Sequence, residues 1–129
     1  MNAPSVLVDS SVWVDHFKYG NKVLVSLLEA DRALSHPMVT AELACGTPPA
    51  PRTHTLHNIS LLKPCQQASL QEVMAFIERD TLYGRGCGLV DICLLASTLI
   101  TPDARLWTLD KRLASLADTM GVGCQPTMY

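Results

Sequence analysis

Two acidic residues of this sequence lie alone in apolar stretches. Glu42 is the only charged residue from position 37 to position 51, and Asp91 is the only one from position 89 to position 102. A carboxylate among aliphatic side chains must be protonated, paired with a base or bound to a cation, and neither stretch contains a base. For Glu42 the alternative is an exposed helical position, because glutamate is a good helix former. Such a position is less available to Asp91, whose segment is apolar on nearly every face.

Two further acids follow apolar runs that are typical of β-strands. Asp9 comes directly after Val6-Leu7-Val8, and Asp110 comes directly after Leu106-Trp107-Thr108-Leu109. The carboxyl ends of parallel strands form the ligand crevice of an open α/β sheet, so both acids are candidates for a site there. Each also precedes a helical pattern, and capping of a helix N-terminus is the more common role of a single aspartate in that position.

Together the four acids have the composition of a site for a hard divalent cation. Carboxylate oxygens favour Mg²⁺ or Mn²⁺ over zinc, and only Asp110 has a base beside it in the sequence, Lys111. A cluster of this kind repels itself without an ion. With one or two ions it can orient a water molecule, lower the pKa of that water and stabilise the attacking and leaving oxygens of a phosphodiester. The pattern therefore predicts metal-assisted hydrolysis.

The elements that must position these acids alternate between strands and helices along the chain. Hydrophobic periodicity, helix caps and turn residues predict strands at 6–8, 32–35 and 105–109, and a possible strand at 121–124. Helices are predicted after residue 10 and at 22–30, 37–46, 52–62, 89–100 and 110–120. The capping box at 69–72 opens a further helix, whose predicted inward face carries Leu70, Val73, Met74 and Ile77. This alternation predicts an α/β fold with a parallel sheet covered on both faces. The proline-rich segment 47–51 is interpreted as a loop, because 46 preceding residues are too few for an independent core. A single domain over 1–129 is the prediction.

The composition excludes several classes of protein. The 129 residues are 48% hydrophobic, 5% aromatic and 17% charged, which argues against disorder and predicts an aliphatic core. A net charge of −2 excludes a protein that coats nucleic acid by charge alone. The five cysteines form no C-x-x-C pair and are expected to be reduced and mostly buried. We see neither a signal peptide nor an apolar run that could span a bilayer, and we expect a soluble, cytoplasmic protein.

Four segments that contain these acids resemble the motifs of the PIN-domain family. They are VLVDSSVWVDH at 6–16, TAELACG at 40–46, GLVDICLLAS at 88–97 and LWTLDKR at 106–112. They occur in the order typical of the family, and the resemblance covers almost the whole chain. Within the family, the sequence is most similar in kind to the VapC-type toxin ribonucleases of toxin-antitoxin pairs.

The resemblance implies a three-layer α/β/α PIN-like fold with a central, mainly parallel sheet and an Mg²⁺- or Mn²⁺-dependent endoribonuclease activity. It implies that Asp9, Glu42, Asp91 and Asp110 are the catalytic, metal-binding acids. Ser11 and Thr108 match the hydroxyl positions that orient the first and last acids or a bound water. The resemblance also implies a cognate antitoxin that blocks the site and a homodimer. Leu109 stands where many relatives have a basic residue, and the prolines at 48–51 also depart from the family pattern. Both departures concern the contacts with substrate and not the four acids.

RNA contacts are expected from basic residues around the acids. Without the four site acids the chain has 10 basic and 8 acidic residues, a net charge of +2. Arg85, Lys111 and Arg112 are the candidate RNA-binding residues, although an ordinary solvated position is the simpler interpretation of any one of them. Arg85 is the leading candidate, because it lies between glycines just before the segment of Asp91.

Two other functions fit parts of the pattern. In a phosphohydrolase, Asp9 would be a nucleophile that forms an acyl-phosphate, but Ser11 occupies the place where a second aspartate is expected. In a non-catalytic partner-binding module of the PIN shape, the acids would have no chemical role, and the presence of all four argues against that interpretation.

Overall fold

The computed structural model describes residues 3–124 and residue 126. Within these residues the chain forms three strands and seven helices. Their bounds, in chain order, are β1 Ser5–Val8, α1 Ser10–Tyr19, α2 Lys22–Glu29, β2 Ala33–Leu34, α3 Pro37–Ala44, α4 Arg52–Ser60, α5 Leu70–Arg79, α6 Leu89–Ile100, β3 Ala104–Trp107 and α7 Lys111–Thr119.

The three strands form one parallel sheet in the order β2-β1-β3. In the register of the central pair, Val8 lies opposite Trp107, so β1 and β3 end together at the same edge. Three successive residues of β1, Val6, Leu7 and Val8, are fully buried. Successive side chains of a strand point to opposite faces, so both faces of the sheet are covered. The α/β class with a parallel sheet is therefore confirmed, and the architecture is consistent with a PIN-like fold.

The core is aliphatic, as the composition predicts. Its largest fully buried side chains include Leu7, Leu94, Leu95, Leu106 and Leu113. Helix α6 contributes a continuous buried segment, Ile92 to Thr98, and packs against β3, α5 and α7. Because α6 is surrounded, its near absence of charged residues is explained by burial.

Two predicted details differ from the structure. The last strand ends at Trp107 and not at residue 109, and the Leu109 side chain is 51% exposed. On α5 the predicted inward face included Leu70 and Met74, yet these side chains are 62% and 60% exposed, while Val73 and Phe76 are buried. The helix starts where the Ser69 capping box predicts, and the phase of its buried face is set by its packing on α6.

The segment after α7 returns to the sheet only briefly. Gly123 makes an isolated parallel bridge with Leu106, so the possible fourth strand is reduced to a single bridge. Among the five free cysteines, Cys65 and Cys93 are buried, Cys87 and Cys124 are half-buried and Cys45 is exposed, so the expected burial of the thiols fails at Cys45. None of the helices in the described residues combines the length and the apolar character needed to cross a bilayer.

Candidate active site

Asp9 occupies the position before the first residue of α1 but does not cap that helix. Its side chain makes no capping hydrogen bond, and only 4% of the residue is exposed. Instead, its Oδ2 accepts hydrogen bonds from Ser11 Oγ at 2.6 Å and from Thr108 Oγ1 at 2.8 Å. The capping interpretation is therefore wrong for Asp9, whose buried charge is stabilised by two hydroxyl groups.

The same two hydroxyl groups connect the ends of β1 and β3. Ser11 Oγ accepts a hydrogen bond from the Leu109 backbone N–H at 3.0 Å. Thr108 Oγ1 accepts one from the Asp110 backbone N–H at 3.1 Å. Since each hydroxyl donates to Asp9 while it accepts from the backbone after β3, the pair fixes the first acid relative to the last one. This placement agrees with the supporting role that the family resemblance implies for Ser11 and Thr108.

Asp110 does cap the helix that follows it. Its Oδ1 accepts hydrogen bonds from the backbone N–H groups of Arg112 at 2.9 Å and Leu113 at 3.1 Å at the start of α7. Its Oδ2 accepts no side-chain or backbone hydrogen bond from residues 3–124 or 126. The capping interpretation is therefore correct for Asp110, and one carboxylate oxygen is still left for a ligand.

Glu42 lies on α3, which packs against α1. The residue is exposed, as the alternative interpretation proposed, but its Oε1 accepts a hydrogen bond from Ser10 Oγ at 2.9 Å. Although the residue as a whole is exposed, partial burial of its carboxyl group raises the pKa of Glu42. The Ser10 hydrogen bond lowers this pKa, and the negative charges of Asp9 and Asp91 raise it. The side chain is therefore directed towards the other acids.

The helix that carries Glu42 is fixed at both ends. At its N-terminus the buried His36 accepts the Met38 backbone N–H through Nδ1 at 3.0 Å. At its C-terminus the Arg52 guanidinium donates to the carbonyl oxygens of Ala44 and Gly46 at 2.6 and 3.1 Å. Sequence reasoning assigned no role to His36, because a capping histidine has no distinctive spacing.

Asp91 lies in the first turn of α6, at the edge of the core. It is half-buried, and its Oδ2 accepts a hydrogen bond from the Gly88 backbone N–H at 3.2 Å. Burial raises the pKa of Asp91, the Gly88 hydrogen bond opposes this, and the charges of Asp9 and Asp110 raise it further. A partly solvated position is thus available to Asp91 after all, since the fully buried part of α6 begins one residue later.

The four acids therefore belong to one electrostatic neighbourhood at the carboxyl edge of the sheet. The negative charges of Asp9 and Asp91 raise the pKa of Glu42, and those of Asp9 and Asp110 raise the pKa of Asp91. In the described part of the chain the only ion pair within 4.0 Å joins Arg79 and Asp80, on α5 and just after it. Within residues 3–124 and 126, then, no base pairs with these carboxylates, and a donor set made of carboxylate oxygens fits Mg²⁺ or Mn²⁺.

In the described residues, no three His, Cys, Asp or Glu side chains converge closely enough to hold an ion as they stand. Asp9 and Glu42 are held by hydroxyl groups, and Asp110 is held by the first turn of α7. Ion binding at this edge would therefore require these side chains to rotate towards one another.

The predicted RNA-binding residues differ in their surroundings. Arg85 and Lys111 are exposed, and their side chains make no hydrogen bond or ion pair with residues 3–124 or 126. Arg112 is also exposed, yet its side chain lies against the backbone of Gly86 in the loop before α6. Of the three residues, Arg112 is the one whose side chain has a defined place, against the loop before α6.

Ser10 is a residue that the sequence did not single out. Its neighbours Asp9 and Ser11 attracted attention by following a strand, whereas the hydrogen bond from Ser10 reaches 32 residues along the chain to Glu42. The signal that could have found it is a second hydroxyl residue at the start of the helix after Asp9.

Comparison with known proteins places the chain in a family. No family model matches the sequence. Two curated proteins from Mycobacterium tuberculosis, both named Ribonuclease VapC32 and belonging to the strains CDC 1551 / Oshkosh and ATCC 25618 / H37Rv, are each 40% identical over 117 residues. The alignments cover 91% of this chain and 94% of each relative. With this identity over nearly the full length of both proteins, the chain belongs to the VapC family of toxin ribonucleases.

Proposed function

We propose that the protein is a metal-dependent endoribonuclease, the toxin of a type II toxin-antitoxin pair, which hydrolyses RNA phosphodiester bonds. The observation that carries the proposal is the hydrogen-bonded arrangement at the carboxyl edge of the sheet, where Ser11 and Thr108 connect Asp9 with the backbone before α7 and Ser10 holds Glu42 at the start of α1. Among the described residues, no base lies within 4.0 Å of the carboxylates of the four proposed acids, Asp9, Glu42, Asp91 and Asp110. The names of the two relatives support RNA as the substrate class.

The four acids would hold Mg²⁺ or Mn²⁺. Asp9, Asp91 and Glu42 are the proposed ligands of the principal ion, and Asp110 would complete the site or a second position through its unused oxygen. When bound, such an ion supplies positive charge to the phosphate oxygens and acidifies a water molecule. The chain fixes the buried carboxylate of Asp9 through two hydroxyl groups and that of Glu42 through Ser10.

The proposed products are a 3′-hydroxyl and a 5′-phosphate, as expected of hydrolysis by an activated water. A 2′,3′-cyclic phosphate would instead indicate attack by the ribose hydroxyl and would contradict the proposal. The phosphohydrolase alternative is disfavoured, because Ser11, which donates a hydrogen bond to Asp9, occupies the place where that alternative expects a second aspartate.

The proposed partner is a cognate antitoxin that blocks the site. A basic side chain of the antitoxin, best an arginine, would pair with these carboxylates, beside which the described part of the chain places no base within 4.0 Å. We further propose a homodimer that acts in the cytoplasm.

The test is RNA cleavage by the purified protein with analysis of the RNA ends. We expect cleavage with Mg²⁺ or Mn²⁺, none with EDTA, and none with Asp91→Asn. Glu78→Gln is the matched control, because Glu78 is an exposed acid on α5, and this variant should cleave like the wild type. Unchanged cleavage and growth inhibition by Asp91→Asn would exclude the proposed catalysis, and intact RNA together with turnover of a small phosphoester would favour the phosphohydrolase.

A further inference from the structure

In the loop between α5 and α6, the space that a side chain at Gly86 would need is filled by the side chain of Arg112. Gly86 has a φ of +83°. A Cβ atom on it would lie 2.6 Å from Arg112 Nη1, 2.7 Å from Cδ and 2.9 Å from Cζ. A Cβ atom essentially never approaches a heavy atom of a distant residue to less than 3.0 Å, so the Arg112 side chain occupies this place only because residue 86 has no side chain.

The charge of Arg112 acts on the same residue, Cys87, as the charges of two of the proposed site acids. The Cys87 thiol, next to Gly86, has its pKa raised by burial and further by the charges of Asp91 and Asp110, while the charge of Arg112 lowers it. The charges of these three side chains therefore act on the same thiol. Even so, Arg112 forms no ion pair within 4.0 Å in residues 3–124 and 126, so its positive charge lies next to the site without being neutralised there.

Most of the other arginines differ from Arg112, because their side chains form hydrogen bonds or an ion pair within the fold. The chain has six arginines, and four of them use their side chains within the fold. Arg32 and Arg105 donate to backbone carbonyls, Arg52 binds the end of α3, and Arg79 pairs with Asp80. Arg85 and Arg112 have no such bond in the described residues. Only Arg112 of these two is also packed against the chain, at Gly86.

We propose that Arg112 binds a phosphate group of the RNA strand beside the scissile bond, and that Gly86 is a positioning residue that permits this placement. The inference rests on the proposed ribonuclease activity. A guanidinium group suits the task because its planar set of N–H donors matches two phosphate oxygens. Packing against the loop reduces the conformational freedom that the long side chain would lose on binding RNA.

A matched pair of glycines allows this to be tested. Gly84 in the same loop also has a positive φ, +72°, but a Cβ there would meet no atom within 4 Å. Alanine at either position costs similar backbone strain, and only Gly86→Ala also displaces Arg112. The difference between the two variants therefore measures the placement of Arg112 and not the stability of the loop.

The experiment measures binding of a single-stranded RNA over a series of salt concentrations, in the cleavage-deficient Asp91→Asn background, and steady-state cleavage in the wild-type background. Arg112→Ala should weaken RNA binding about tenfold, the loss of one charge-assisted contact, and reduce the slope of log K against log salt by about 0.7. Gly86→Ala should do the same and raise KM more than it lowers kcat. Gly84→Ala should bind like the parent. Lys63→Ala, which removes a charge from the segment between α4 and α5, should do so too.

Combination of the two changes gives the decisive result. If Gly86 acts through Arg112, Gly86→Ala should not weaken RNA binding further once Arg112 is already alanine. The double variant Arg112→Ala/Gly86→Ala should then bind RNA like Arg112→Ala/Gly84→Ala. Equal behaviour of Gly86→Ala and Gly84→Ala, or a salt slope that Arg112→Ala leaves unchanged, would overturn the inference. Weaker binding of the antitoxin with unchanged binding of RNA would overturn it as well. If the wild type does not cleave RNA, the proposed function itself fails, which is a separate result.

Discussion

Replacement of Thr108 by valine tests whether the buried charge of Asp9 depends on its two hydroxyl donors. Valine has nearly the shape of threonine, but it cannot donate to Asp9 Oδ2, which Thr108 Oγ1 approaches to 2.8 Å. A hydrogen bond to a charged group contributes about 1.5 to 3 kcal/mol. Asp9 is 4% exposed, so water cannot easily replace the lost donor, and we expect Thr108→Val to cost about 2 to 3 kcal/mol.

Thr108→Ser is the matched control, because it keeps the hydroxyl group and loses a methyl group. Loss of one buried carbon costs about 0.8 kcal/mol, or somewhat more where a cavity remains. For a chain of 129 residues, 1 kcal/mol corresponds to roughly 4 °C in Tm. We therefore expect a fall of about 8 to 12 °C for Thr108→Val and about 4 °C for Thr108→Ser.

The assay is thermal and urea unfolding of the purified variants in EDTA, so that ion binding does not add to stability. If the valine variant is as stable as the serine variant or more stable, the hydroxyl groups do not stabilise the charge of Asp9, and this view of the site is wrong.

Three further predictions concern the stability of the folded chain. Burial and negative neighbours raise the pKa of Asp91 in the folded chain. Its carboxylate therefore lowers the free energy of unfolding at pH values above that raised pKa, and this cost disappears as the pH falls towards the pKa of Asp91 in the unfolded chain. Asp91→Asn should therefore raise the urea midpoint more at pH 7.5 than at pH 4, and a lower midpoint at pH 7.5 would contradict this. Burial lowers the pKa of His36 below its ordinary value of 6.5. The contribution of neutral His36 to the free energy of unfolding is therefore complete above pH 6.5 and is lost as the pH falls from there towards the lowered pKa. Urea unfolding of the wild type should show this loss between pH 7.5 and pH 5, and His36→Asn, which keeps a cap acceptor, should show less of it. Leu94→Ala, at a fully buried position of α6, should cost about 3 kcal/mol in the same assay, and a cost below about 1 kcal/mol would mean that α6 is not central to the core.

The fold could largely be predicted because local signals agreed with the packing. Helix α6 has the predicted bounds, since a long apolar run between Gly88 and Pro102 admits no other element. The capping box at Ser69 fixed the start of α5. The buried face of α5 could not be predicted from its residues, because two overlapping apolar stripes are present and contact with α6 selects the one with Val73 and Phe76.

The acids of the candidate site could be found from the sequence, but their local roles could not. Asp9 and Asp110 have the same context, an apolar strand before them and a helix after them, yet only Asp110 caps its helix. The difference arises from Thr108, which is 99 residues from Asp9 in the chain and offers a hydroxyl group to its carboxylate. The hydrogen bond from Ser10 to Glu42 could not be predicted either, because it joins residues that are distant in the chain and depends on the packing of α1 against α3.

Calorimetric titration of Mn²⁺ into the purified protein tests most directly whether the four acids form one divalent cation site. We expect saturable binding by the wild type, loss of that binding in Asp9→Asn, and unchanged binding in Asp15→Asn, whose carboxylate lies on α1 and accepts a hydrogen bond from Asn21 beyond the end of that helix. Binding of Mn²⁺ by Asp9→Asn with the affinity of the wild type would contradict the account.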